Sequence, residues 1–175
     1  MKTQNTLLAF ALSPLCLAAM PAGAVDLLHH GVPNVPASRI VGLWTTQAGV
    51  RPCGSSLPLS PARNTILFNA GGTVVANLES PIGGGYPNLA GIPGIHERGP
   101  DLGTWSFNPL THQYTIKMRF DWYVDGVYHG YSTVDRTILL SNDGSRASGP
   151  VRVTRYKADG ALMGALCGDA VSTRL

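Results

Sequence analysis

Hydrophobic and polar residues alternate along much of the chain, and helical periodicity is nearly absent. Short runs rich in Val, Ile, Thr and aromatic residues are separated by Gly, Pro, Asn and Asp, a pattern that predicts strands joined by turns. The 21 glycines and 13 prolines supply the turn signals. We predict eight strands, at 39–47, 65–69, 73–78, 104–108, 113–124, 127–140, 150–157 and 161–175.

Short connections determine how these strands are arranged. Sequential strands joined by tight turns pair with their neighbours, and Asp125-Gly126 is a strong hairpin signal. A long meander has to bury its apolar face and protect its edges, and closing into a barrel achieves both. The predicted fold class is therefore all-β, an antiparallel up-and-down meander closed into a small barrel. A two-sheet β-sandwich is the alternative.

The first 24 residues have the features of a secretory signal peptide. Lys2 supplies an early positive charge, residues 7–20 are apolar, and Ala22-Gly23-Ala24 has the small side chains that a signal peptidase accepts. The apolar run is too short to span a membrane. We expect cleavage after Ala24 and a secreted or periplasmic location.

The rest of the chain predicts one domain. We expect a barrel over 39–175, an irregular lead-in over 25–38, and a Gly/Pro-rich loop over 80–103 that covers one end of the barrel. The 13 Lys and Arg residues are scattered among 10 Asp and Glu, which is unlike a nucleic-acid-binding surface. No later apolar run is long enough to cross a membrane. We therefore expect neither nucleic-acid binding nor a membrane span.

Two cysteines, Cys53 and Cys167, remain after the predicted cleavage, because Cys16 lies in the signal peptide. In an oxidising compartment an isolated pair is expected to form a disulfide, here between the loop after the first strand and the last strand. The alternative is two free buried thiols. No His or Cys lies at metal-ligand spacing from either cysteine, so we predict no metal site and no cofactor.

A short motif near the start of the barrel and one residue near its end carry a family resemblance. Gly42-Leu43-Trp44 lies in the first predicted strand and Arg174 at the end of the last. This combination resembles the lipocalin and wider calycin pattern, in which a Gly-x-Trp packs under a basic residue from the end of the chain and closes the barrel base. Gly103-Thr104-Trp105 repeats the tripeptide elsewhere. The resemblance implies a cup-shaped cavity for a small apolar ligand, or less often an enzyme built in that cup.

The strand at 113–124 alternates without interruption, so one of its faces must point inward. The strand after it has two possible registers. If Asp125-Gly126 is a two-residue turn, Val124 pairs with Val127, and a three-residue turn at 142–144 then sets Tyr131 beside Arg155. A slip by one residue reverses the faces. We favour the first register, with His129, Tyr131, Thr133 and Asp135 inward, over the second, with Tyr128, Ser132, Val134, Arg136 and Ile138 inward.

The favoured register predicts an aromatic wall with a few polar groups, as a ligand pocket requires. The predicted ligand-binding residues are Tyr114, Met118, Phe120 and Trp122, with His96 reaching the mouth from the long loop. The candidate catalytic or ligand-orienting residues are His129, Tyr131, Asp135 and Arg155. A core ion pair is the alternative interpretation of Asp135 and Arg155.

Three functions fit these features. We favour a secreted lipocalin-like barrel that binds a small apolar or aromatic ligand in its interior. The first alternative is a cofactor-free barrel enzyme, such as an isomerase, cyclase, hydratase or lyase, that acts on a hydrophobic substrate. The second is a structural or protein-binding surface module with a filled core. The chain has no nucleophile elbow, phosphate-binding loop or His-Glu-x-x-His motif.

Overall fold

Ten antiparallel strands in one sheet account for most of the chain that the structure, a computed structural model, describes: residues 36–79, 86–87 and 92–175. These residues lie within one compact unit, Val32–Leu175. A short 3-10 helix, η1, precedes the strands. The elements are η1 Pro36–Ile40, β1 Gly42–Pro52, β2 Ser60–Phe68, β3 Thr73–Leu78, β4 Tyr86–Pro87, β5 Ile95–Arg98, β6 Asp101–Asn108, β7 Gln113–Val124, β8 Val127–Leu140, β9 Arg146–Lys157 and β10 Leu162–Arg174.

Some of the expectations fall outside the described residues. The predicted signal peptide at 1–24, most of the lead-in at 25–38 and most of residues 80–91 in the long loop are among them. Within the described part, no helix is both long enough and apolar enough to cross a membrane.

Eight of the strands form a closed barrel. The hydrogen-bonded order runs β7-β6-β3-β2-β1-β10-β9-β8, and β8 pairs back with β7. These are the eight predicted strands, so the all-β barrel is confirmed and the sandwich alternative is wrong. β5 continues the edge of β7 beyond β6, with the Gly99 amide donating a hydrogen bond to the Asp121 carbonyl at 3.0 Å.

Several strands are longer than their local sequence predicts. β1 continues to Pro52, and β2 begins at Ser60, although Gly49, Pro52 and Pro61 are typical turn residues. The long partner β10 explains the extension, because residues 49–52 of β1 pair with residues 166–169 of β10. Non-local pairing therefore overrides the local Gly and Pro signals.

The base of the barrel is closed by η1 and by the predicted Trp–Arg contact. The Trp44 side chain is fully buried and its Nε1 donates a hydrogen bond to the Ile40 carbonyl at 2.8 Å. The guanidinium carbon of Arg174 lies 4.3 Å from the centre of the Trp44 ring. The packing that the resemblance implies at this end is therefore present. Cys53 and Cys167 also form the predicted disulfide, with their Cα atoms 4.9 Å apart.

The favoured register of β8 is wrong after the first two residues. The two-residue turn is present, with Val124 paired to Val127 and Tyr123 paired to Tyr128, but His129 is an extra residue and Trp122 pairs with Gly130. This β-bulge reverses the faces of the rest of the strand. Gly130 accommodates the strand that follows the bulge, because a Cβ there would lie 2.1 Å from the Tyr156 carbonyl oxygen.

The correction changes which side chains reach the interior. Ser132, Val134, Arg136 and Ile138 are buried, as the second register predicted, whereas Tyr131 and Asp135 point outward. Tyr128, which the second register also placed inward, precedes the bulge and is 40% exposed. The next turn has four residues, 142–145, instead of three, because Ser141 pairs with Arg146. The two single-residue errors cancel at β9, so Arg155 faces inward as expected, but beside Ser132 rather than Tyr131.

Candidate ligand-binding cavity

The barrel encloses a cavity of about 400 Å³ between its packed base and its other end. This volume lies within the range of small-molecule sites. On β1 the inward positions carry a large side chain at the base, Trp44, and smaller ones above it, Thr46 and Ala48, which leaves space inside the barrel. The apolar lining consists of Ala48, Val50, Pro52, Pro61, Ala62, Leu78, Met118, Phe120, Trp122, Val134, Val151, Val153, Leu166 and Ala170.

The wall that β7 contributes agrees with the alternation of its sequence. Met118, Phe120 and Trp122 line the cavity and are each less than one-tenth exposed. Tyr114 lies on the same face but deeper, where its hydroxyl donates to the Pro36 carbonyl and its ring packs 4.8 Å from that of Phe107. Tyr114 therefore belongs to the closed base and does not line the cavity.

His96 lies on a strand of the cavity wall and not on the loop where the sequence placed it. Its side chain is 3% exposed, and Nε2 is 2.9 Å from the Ile92 carbonyl oxygen. Because the carbonyl can only accept, Nε2 carries the proton of this bond. The imidazole also stacks on the Trp122 ring, with centroids 5.9 Å apart and planes 6° apart. This contact fixes the Trp122 side chain from the β5 side.

His129, the bulged residue, touches the cavity wall without lining the cavity. Its ring centroid lies 4.6 Å from that of Trp122, at a tilt of 38°. Its Nδ1 is buried and has no hydrogen-bond partner among the described residues. The structure therefore places His129 behind Trp122, where it supports the aromatic wall.

Two of the four candidate catalytic residues lie on the outside of the barrel. Tyr131 stacks on Tyr156 with ring centroids 4.8 Å apart, and the Arg119 guanidinium lies 4.0 Å from the Tyr131 ring centre. Asp135 is exposed, beside Lys117 and Arg152 on the neighbouring strands. The expected inward orientation of both residues, and with it an Asp135–Arg155 core pair, is wrong because of the bulge at His129.

Charged side chains that the favoured register did not place inside the barrel lie within the cavity. Arg98 and Asp101 line it and form an ion pair with each other, and the Arg98 guanidinium lies 3.4 Å from the centre of the Phe120 ring. Asp101 is 2% exposed, and burial raises its pKa more than the Arg98 charge lowers it. This carboxylate therefore has its partner within the protein.

Arg136 is the most deeply buried arginine of the cavity. It is 3% exposed and donates one hydrogen bond, from Nη2 to the Ser172 hydroxyl at 3.3 Å. That hydroxyl is in turn 2.7 Å from the hydroxyl of Thr46. The Nε of Arg136 has no partner among the described residues. Burial lowers the pKa of Arg136 to about 10, so the guanidinium stays protonated at neutral pH.

Arg155 lies higher in the cavity than Arg136 and is only partly buried. Burial lowers its pKa, and the positive charge of Arg98 lowers it further. Ser132, the neighbour of Arg155 on β8, is fully buried, and its hydroxyl has no partner among the described residues. The described cavity-lining residues that are not exposed therefore include three guanidinium groups and one carboxylate, that of Asp101.

A signal for the missed residues exists in the sequence. His96 and Arg98 are two residues apart, which places both on one face of any strand through them. Ser132, Val134 and Arg136 also alternate, but Tyr131, Thr133 and Asp135 form an equally regular set, so alternation alone does not identify the inward face.

No protein-family model, no curated protein and no solved structure matches this chain. Its function therefore has to be inferred from the cavity.

Proposed function

We propose that the protein is a secreted or periplasmic lipocalin-like barrel that binds a small apolar or aromatic ligand in its interior. The cavity of about 400 Å³, walled by Met118, Phe120, Trp122 and the aliphatic residues facing them, is the observation that carries this proposal. A ligand placed there would bury most of its surface against apolar side chains, and such burial contributes about 25 cal/mol per Å².

Two further features support the compartment and the family likeness. The Cys53–Cys167 disulfide is typical of oxidising compartments, which agrees with the signal-peptide pattern of the first 24 residues. The Gly42-x-Trp44 motif under Arg174 is the base closure of the lipocalin pattern. Ligand binding also fits the open cavity better than a surface module with a filled core does.

The enzyme alternative loses much of its support. Of its four candidate catalytic residues, His129, Tyr131, Asp135 and Arg155, only Arg155 lines the cavity. Tyr131 and Asp135 point away from it. A general acid–base mechanism needs its groups within hydrogen-bond reach of one substrate. We therefore retain ligand binding as the proposal.

An uncharged, environment-sensitive fluorophore such as N-phenyl-1-naphthylamine tests the proposal. We expect saturable binding by the purified protein and at least a tenfold weaker affinity in Val134→Trp, which fills the cavity from its wall. Leu139→Trp is the matched control, because Leu139 lies on the same strand, is 51% exposed and points outward. Unchanged affinity in a folded Val134→Trp protein, or no saturable binding by the folded wild type, would contradict the proposal.

A further inference from the structure

We propose that the ligand is an apolar acid, and that Arg136 binds its carboxylate at the closed end of the cavity. This inference rests on the proposed function, because it specifies the ligand of the same cavity. It begins from a charge imbalance. Arg98 is paired with Asp101, whereas Arg136 and Arg155 have no carboxylate partner among the described residues.

The imbalance is unusual because Arg136 is almost fully buried. A buried guanidinium is costly unless its charge is compensated and its donors are filled. Arg136 has one neutral acceptor, the Ser172 hydroxyl, and its Nε donor is unfilled by the described residues. A neutral ligand oxygen would leave the charge uncompensated. A carboxylate would compensate it and matches the planar fork of a guanidinium.

The strand register places the polar groups of the cavity at two levels. Arg136 pairs with Ile116 on β7 and with Val151 on β9. Ser132 and Arg155 are cross-strand neighbours of each other and lie nearer the open end of the barrel. Ser132 and Arg136 are four positions apart on β8, which corresponds to about 13 Å along the strand. The deep level therefore holds Arg136, and the Thr46–Ser172 hydroxyl pair adjoins it.

An apolar layer separates the two levels. Met118, Val134 and Val153 are cross-strand neighbours on the inward face and carry no polar side-chain group that could donate or accept a strong hydrogen bond. An elongated ligand with its head group at Arg136 would lay its body along this layer. The far end of such a ligand would reach Phe120 and Trp122. The order of polar, apolar and aromatic surfaces thus matches a molecule with one acid end and a long apolar body.

The deep level is a better anion site than the upper one. Arg155 is only partly buried, and the upper level already contains the Asp101 carboxylate, paired with Arg98. Screening by water and salt weakens a charge pair there more than at Arg136, which is 3% exposed. We therefore place the head group at Arg136 and not at Arg155.

Decanoic acid and decan-1-ol, which differ in the head group alone, test this inference by displacing the uncharged fluorophore at pH 7.5. We expect the wild type to bind the acid at least tenfold more tightly than the alcohol. Arg136→Met should erase that preference while keeping the affinity for the alcohol, and the matched variant Arg155→Met should keep the preference. Arg136→Lys, which retains a charge, should keep part of it.

The outcomes separate this inference from the proposed function. Equal binding of acid and alcohol by the wild type would overturn the acid site and leave apolar binding intact. A preference lost in Arg155→Met but kept in Arg136→Met would overturn the deep placement. Failure of the folded wild type to bind the fluorophore and both probes would remove the proposed function and the acid site with it. Carboxyl-labelled decanoic acid gives an independent readout, since its pKa should fall on binding to the wild type and not to Arg136→Met.

Discussion

Arg174 covers the face of Trp44 and holds three segments of the chain together at the base of the barrel. Its guanidinium carbon lies 4.3 Å from the ring centre, and its nitrogens donate hydrogen bonds to the carbonyls of Val41, at 2.7 Å, Gly144, at 3.0 Å, and Arg39. One side chain therefore links the start of β1, the β8–β9 turn and the end of β10. The contact is a structural one, since it lies at the end of the barrel opposite to the cavity-lining residues near Trp122.

Removing this side chain should destabilise the whole barrel. We expect Arg174→Ala to lower the free energy of unfolding by about 2–4 kcal/mol, because the cation–π contact is lost and buried carbonyls lose their donors. Urea unfolding measures this change. Arg146→Ala is the matched control, since Arg146 is exposed at the neighbouring end of β9 and should cost no more than about 0.5 kcal/mol. Similar small effects in both variants would show that the base is closed by Trp44 packing alone.

The bulge at His129 gives a second prediction, at the glycine that follows it. A Cβ on Gly130 would lie 2.1 Å from the Tyr156 carbonyl oxygen, so β9 would have to move away. Gly130→Ala should therefore destabilise the protein by about 1–3 kcal/mol. Gly71→Ala is the control, because a Cβ there meets nothing within 4 Å. A Gly130→Ala protein as stable as the control would mean that the strands approach each other less closely.

The same bulge shows where sequence-based prediction of this fold ends. The eight barrel strands and the barrel closure follow from local alternation and turn residues, the Trp44–Arg174 contact from a two-point motif, and the disulfide from an isolated cysteine pair. Alternation cannot locate an extra residue in β8, because both faces of this strand carry bulky and polar side chains. Tyr131 is aromatic yet outside, covered by Arg119 and Tyr156, whereas Arg136 is charged yet inside.

The candidate site was therefore predicted in part. The aromatic wall at Met118, Phe120 and Trp122 follows from a strand with no interruption. Which polar side chains of β8 and β9 face this wall depends on two structural features that the local sequence does not specify. These are the bulge at His129 and the four-residue turn at 142–145. The close approach of Gly130 to Tyr156, next to the bulge, is a contact between different strands. Position along one strand contains no information about such a contact.

The disulfide gives a third prediction. Cys53 and Cys167 are 114 residues apart in the sequence, and a cross-link over so long a loop restricts the unfolded chain strongly. In the chain-entropy model the double variant Cys53→Ala/Cys167→Ala should lose up to about 4–5 kcal/mol of stability. Denaturant unfolding with and without reductant measures this loss. Reductant should bring the wild type to the stability of the variant and leave the variant unchanged; a reductant effect on the variant would implicate another thiol.

The turn between β8 and β9 gives a prediction about pH. Asp143 accepts hydrogen bonds from the hydroxyls of Ser141 and Ser145, at 2.6 and 2.7 Å, and from the Ser145 amide, at 3.1 Å. These bonds lower its pKa to about 2, from an ordinary value of 3.8. Because the folded state binds the ionised carboxylate better than the unfolded chain does, the contribution to stability is complete above about pH 4 and is lost as the pH falls towards 2.

The stability difference between the wild type and Asp143→Ala should therefore be constant from pH 7 to about pH 4 and shrink as the pH falls below that. Carboxyl-carbon NMR of Asp143 checks the titration directly. Ser141→Ala removes one donor and should raise the midpoint. A wild-type midpoint at the ordinary value would show that the hydroxyls do not hold the carboxylate in solution.

Arg136 gives the last prediction, which concerns stability and not binding. Its pKa is lowered to about 10 by burial, and the guanidinium is still protonated near neutral pH, so the fold contains a buried charge with no carboxylate partner among the described residues. Replacing such a charge by an apolar side chain of similar length is neutral or stabilising in other proteins. Arg136→Met should therefore raise the free energy of unfolding, whatever the ligand of the cavity is.

We expect this gain to be about 1–3 kcal/mol in the absence of ligand. A lowered pKa of a base destabilises the fold below that pKa, so the gain should be constant from pH 6 to 9 and shrink only above about pH 10. Arg152→Met, at an exposed position of β9, is the control and should change stability by no more than about 0.5 kcal/mol. A less stable Arg136→Met would mean that the hydrogen bond to Ser172 outweighs the cost of burying the charge. A more stable one would show that the wild-type chain keeps Arg136 at the expense of stability, as residues retained for binding often are.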